Sequence, residues 1–111
     1  MLALFPFTDA SSSKRRPALV VQCDRNNRRL HDVILALITS NTTRASTEPT
    51  QLLIQIATPD GKQAGLLHDS AVKCEHLMTV HEGLIERVIG HLSPGLMHQV
   101  DQCLRSALDL A

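Results

Sequence analysis

Ala18-Leu19-Val20-Val21 is an unbroken apolar run set directly behind a cationic corner, Lys14-Arg15-Arg16-Pro17. A second apolar stretch, Asp32 to Ile38, ends on the hydroxyl and amide cluster Thr39-Ser40-Asn41. A run without polar alternation reads as a strand buried on both faces, so these segments predict the middle of a small sheet. Arg16 and Thr39 lie 23 positions apart, the interval of two residues flanking a pair of strands and the loop between them. If the strands pair, a guanidinium and a hydroxyl meet at one end of the sheet, the arrangement wanted around a phosphodiester.

The rest of the chain continues the pattern. Leu2 to Phe7 reads as a first strand, followed by a polar, mobile loop over Thr8 to Ser13. Arg16 to Gln22 is the second strand, Asp24 to Arg29 a hairpin connection with two Asn, and Asp32 to Thr39 the third strand. A Ser/Thr-rich linker runs from Asn41 to Thr50. Leu52 to Ala57 is a fourth strand, ended by the turn Thr58-Pro59-Asp60-Gly61. Asp69 to Cys74 and Arg87 to Leu92 are the fifth and sixth, with one helical turn over Thr79 to Ile85 between them. Ser93-Pro94 supplies an N-cap and a first-turn proline. Beyond it Leu96, Val100, Cys103, Leu104, Ala107 and Leu108 recur at helical spacing. Short strands plus one amphipathic C-terminal helix predict a mainly β fold, a small antiparallel barrel, in a single domain over residues 1–111.

Composition narrows the function. Phe5 and Phe7 are the only Phe, Tyr or Trp residues, so the core is aliphatic and base stacking on aromatic platforms is a poor expectation. The formal net charge is zero, yet residues 9–31 carry a local +4 and the chain from His68 onward a local −3. A basic end on a neutral protein suits a confined anionic partner. Three cysteines without a C-x-x-C pair indicate neither a disulfide framework nor a zinc ribbon. Cys23 and Cys103 read as small core hydrophobes. The start is too short and uncharged for a signal peptide, and no apolar run approaches the ~20 residues that span a bilayer. A cytoplasmic protein without a membrane partner is expected.

Phe5-Pro6-Phe7-Thr8-Asp9, Lys14 to Val20, Ile34 to Asn41, Pro49-Thr50, Asp69-Ser70-Ala71-Val72, Leu92-Ser93-Pro94 and Val100 to Leu104, in that order and spacing, resemble the MazF/PemK family of toxin endoribonucleases. The resemblance implies an SH3-like (CcdB/MazF-like) barrel and a homodimer neutralised by a cognate antitoxin. It also implies cofactor-free, metal-independent cleavage of single-stranded RNA at short motifs. It places the catalytic pair on Arg16 and Thr39. The chain departs from many members in starting within the first strand and in carrying Ser11-Ser12-Ser13 where they have a glycine-containing loop. Two alternatives stay open, a gyrase-binding toxin of the same architecture and an inactive member.

RNA cleaves itself when its 2′-OH is deprotonated in line with the adjacent phosphate, giving a 2′,3′-cyclic phosphate and a 5′-OH. Arg16 can fork onto two phosphate oxygens, and Thr39 can hydrogen-bond one without ionising. Deprotonating an ordinary guanidinium at neutral pH costs roughly 7 kcal/mol, so Arg16 is assigned to charge stabilisation first and to general acid second. A histidine is the cheaper base, and six are present: His31, His68, His76, His81, His91 and His98. Lys14 and Arg15 are expected to steer phosphates, with Ser40, Asn41 and His76 as further RNA contacts. His76 falls where the family often contacts RNA. Arg25, Arg28 and Arg29 read as a solvated hairpin tip. Cys74 and His76 fall on one strand face by alternation, but four ligands at zinc spacing are missing, so no metal is expected.

Overall fold

The computed structural model describes residues 1–8 and 13–110, with residues 7, 8, 13 and 14 described by their backbone alone. Six strands form one antiparallel sheet in the order β4-β5-β3-β2-β1-β6. They are β1 (Leu2–Thr8), β2 (Ser13–Val20), β3 (Asp32–Thr39), β4 (Gln51–Ile54), β5 (Ser70–His81) and β6 (Arg87–Gly90). The predicted polar loop largely falls on residues 9–12, outside the described residues, while Thr8 and Ser13 pair with each other as strand residues. Among the described residues β4 and β6 are sheet edges that do not pair with one another. The expected small β structure therefore forms as an open sheet, its two edges being strands of four residues each.

The continuous apolar runs are buried on both faces. Leu2, Leu19, Ala36, Ile38, Leu52, Ile54, Val72 and Cys74 point to one side, where they meet Ala64, Leu92, Val100 and Cys103. Ala3, Phe5, Ala18, Val20, Val33 and Leu35, offset by one residue along each strand, form a second cluster. Ile85 reaches it because the chain after β5 is tied down twice. The Glu82 N–H donates to the His31 carbonyl (2.7 Å) and the Glu86 N–H to that of Leu4 (2.9 Å).

The first cluster is covered by α3 (Pro94–Leu108), which starts where the sequence predicts. The Ser93 hydroxyl accepts the Leu96 N–H at 3.2 Å, and Asp109 ends the helix in the left-handed region. Cys103 on α3 and Cys74 on β5 are both buried and bring their thiols together. Burial, then the neighbouring Cys103, pushes the Cys74 thiol up to about 12. Cys23 is exposed, which corrects its reading as a core residue.

Three local expectations are corrected. Asp24–Arg29 is a short helix, α1, and not a hairpin tip. Asp24 in its first turn and Arg28 and Arg29 in its last complement the helix dipole, and its arginines remain solvated. The turn near Pro59 is another short helix, α2 (Pro59–Lys62), and the strand before it stops at Ile54. β5 is twice the predicted length and continues to His81, leaving only Glu82–Leu84 as a 3-10 turn. The cause is a break in β5. Leu37 of β3 faces Lys73, but the preceding Ala36 faces Leu77, so Cys74, Glu75 and His76 fall out of that register. Cys74 is buried and His76 exposed, so strict alternation fails across this step.

Candidate phosphodiester site at the end of the sheet

The predicted pair lies just past the paired stretch of β2 and β3, toward one end of the sheet. β2 and β3 pair with Ala18 opposite Leu37. The pairing ends there; extended by count two residues further, the same register would set Arg16 opposite Thr39. On either side of them lie Phe5 of β1, opposite Arg16, and Ala71 of β5, opposite Thr39. Arg16 is exposed and Thr39 half-buried. The Thr39 hydroxyl oxygen accepts the Asn41 N–H at 3.1 Å. That leaves the hydroxyl proton to donate elsewhere. Asn41 in turn accepts from the Thr43 N–H at 3.1 Å and from its hydroxyl at 2.6 Å, which holds the corner in shape.

Beside this row lies a cleft of about 400 Å³. Arg15, Arg16, Arg87 and His68 bring basic groups to it, Ser40 and Ser70 contribute hydroxyls, and Leu4, Pro17, Ile38, Leu66 and Ile89 are apolar walls. Its size falls at the lower end of small-molecule sites. Thr39 is not one of its walls, so Arg16 is the group shared by the cleft and the Arg16–Thr39 row. Arg15 is not free. Its Nε donates to the Glu86 carboxylate, an ion pair joining β2 to the segment before β6.

A second, polar cleft of about 490 Å³ lies past Thr39, lined by Asn41, Thr43, Arg44, Gln51, Lys73 and Glu75. Glu75 accepts hydrogen bonds from Thr50 (2.5 Å) and Gln51 (2.9 Å). Partial burial raises its pKa, but those bonds, a backbone hydrogen bond and the Lys73 charge outweigh this and hold it below its usual value. His76 follows on the out-of-register step, exposed and outside both clefts. The Lys14 side chain lies outside the described residues. The sequence had not singled out His68, Arg87, Arg44 or Lys73. Arg87 reaches the cleft because β6 pairs with β1, setting it opposite Leu4, a neighbourhood that no local motif encodes.

The Arg16 guanidinium lies in a cleft rimmed with positive charge, a setting suited to an anionic ligand. The family model described as PemK-like, MazF-like toxin of type II toxin-antitoxin system matches residues 1–108, and the chain belongs to this family. Endoribonuclease MazF6 of Mycobacterium tuberculosis is 37% identical over 108 residues, covering 96% of this chain and 90% of the relative. Endoribonuclease EndoA of Bacillus subtilis is 32% identical over 107 residues, 96% of this chain and 87% of EndoA. Among solved structures, the fold superposes on M. tuberculosis toxin MazF-mt6 with a TM-score of 0.76 at 21% identity, covering 98% of both chains. It superposes on a MazE-MazF crystal structure from Deinococcus radiodurans with a TM-score of 0.71 at 21% identity, covering 99% of this chain and 94% of that one.

Proposed function

We propose that this chain is an endoribonuclease toxin that cuts single-stranded RNA without a metal ion, through attack of the 2′-OH on the adjacent phosphate. The observation that carries the reading is the cationic cleft lined by Arg16, at the end of the sheet toward which the β2–β3 register, extended two residues past Ala18 and Leu37, also carries Thr39. It stands in a chain 37% identical to an endoribonuclease. Arg16 neutralises charge building on the phosphate oxygens, where an oriented donor is worth most. Thr39 donates its hydroxyl proton to one of them. Lys14, Arg15, Ser40, Asn41 and His76 hold the flanking RNA, and Arg15 leaves Glu86 when a phosphate replaces the carboxylate.

Among the similar structures is an endoribonuclease in complex with its cognate antitoxin, which supports restraint by an antitoxin of its own; a homodimer belongs to the same reading. Among the described residues no helix is long and apolar enough to cross a membrane. An RNA target and an antitoxin partner fit the cytoplasm. The gyrase-binding alternative is not favoured, since the curated relatives are endoribonucleases and a gyrase binder has no use for a phosphate site.

The test is incubation of the purified chain with a long single-stranded RNA in EDTA, alongside Arg16→Ala. Wild type is expected to give a limited set of fragments ending in cyclic phosphates, and Arg16→Ala to cut about 10²–10³-fold more slowly. Intact RNA with wild type, or equal cleavage by the variant, overturns the assignment.

A further inference from the structure

The proposed reaction still lacks a group to take the 2′-OH proton, and the fold separates the six histidines sharply. His31 and His81 lie at the ends of β3 and β5 opposite to the Arg16–Thr39 row, where their rings stack at 6.2 Å. His91 lines a different cleft with Met1 and Gln22. His98 is exposed on α3, and His76 is outside the Arg16 cleft. Among the described residues His68 alone of the six shares a cleft with Arg16 and Ser40.

The backbone that presents His68 is held on both sides. The buried Ser70 hydroxyl donates to the His68 carbonyl at 2.8 Å, and the Asp69 carboxylate accepts the Ile56 N–H at 2.9 Å. Upstream, Gly65 turns the chain at φ +74°, close against the Ile89 carbonyl. The residue is exposed and lines the cleft while its backbone is held, which favours a productive geometry. The charged groups around it are Arg15 and Arg16 from β2, Arg87 from β6 and Asp69 beside it.

Building on the ribonuclease reading above, we propose that His68 is the general base of the cleavage. Its imidazole takes the 2′-OH proton as the 2′-oxygen bonds to phosphorus. The P–O5′ bond breaks, and the 5′-oxygen leaves with the bonding pair and takes a proton from water. The imidazolium then returns its proton to solvent. Nothing is oxidised or reduced, and the products are the cyclic phosphate and the 5′-OH fragment. Arg16 is thereby relieved of proton transfer and remains cationic throughout.

The test is single-turnover cleavage in EDTA from about pH 5.5 to 8.5, comparing wild type, His68→Gln and His68→Ala. Binding of a 2′-O-methyl RNA carrying a mapped cut site is the second readout. For wild type, the rate should rise with unit slope on the acid side of neutrality. His68→Gln should lose that slope and cut about 10²–10³-fold more slowly at neutral pH, with binding unchanged to within about twofold. Added imidazole should restore part of the His68→Ala rate. The residue is exposed, so neither change touches the core. His68→Gln cleavage within about threefold of wild type, with the slope intact, overturns the assignment. So does a rate loss matched by lost binding with the slope retained, since His68 would then only hold RNA. A wild type that leaves RNA whole defeats the ribonuclease reading itself, a result distinct from either.

Discussion

Gly65 shows how a single residue sets the site. A side chain at φ +74° is strained, and a Cβ there would run into the Ile89 carbonyl. Gly65→Ala is expected to cost about 1–3 kcal/mol, read as a lower urea midpoint. RNA cleavage should fall further than stability does, because Gly65 and His68 line the same cleft. An unchanged midpoint would remove the steric argument. At this scale the sequence was legible where chemistry and motif coincide. Arg16 and Thr39 carry recognisable neighbours and lie on adjacent strands, two residues beyond the last β2–β3 pair. His68 was not legible, because its company comes from the pairing of β5 with β3 and the packing of the following β6, not from the residues on either side of it.

Among the elements, β5 has two halves, and the step at Cys74-Glu75-His76 separates them. Period-two reading lost the strand there because the inward parity changes, from Val72 and Cys74 to Leu77. The short helix α1 was missed for a different reason. Its two Asn suggested a turn, while the helix signal lay in acid-first, base-last charge order. At the far end of β5, His31 approaches the Glu82 carboxylate at 3.0 Å. That hydrogen bond, then the carboxylate charge, raises the His31 pKa above its ordinary 6.5. The pair therefore adds stability that is complete below the unfolded value and is lost as pH rises through the folded one. Glu75 has the opposite sign, with stability present above the ordinary 4.5 and lost as pH falls through its depressed value. Urea midpoints of wild type and His31→Gln should differ most in mildly acidic buffer and converge in alkaline buffer. A gap that widens with rising pH would contradict the ion pair.

Across the whole molecule, two apolar clusters lie on opposite sides of the same central strands. Hydrophobic burial on both faces was readable from the unbroken runs in β2 and β3. Whether the sheet would close was not, because closure depends on the lengths and registers of two short edges. Helix α3 completes the first cluster and covers the thiols of Cys74 and Cys103, whereas Cys23 faces solvent. Thiolate is the species that alkylates, and both buried thiols are held toward the protonated form. A maleimide added to the native protein should modify one sulfur per chain promptly. The other two should react only through opening of the fold, slower by about 10³-fold or more for a core several kcal/mol stable. Three prompt modifications would contradict this packing. The chain thus has a built-in gauge of its own opening. Mass spectrometry can count molecules carrying one label or three, following release of the helix from the sheet without any engineered probe.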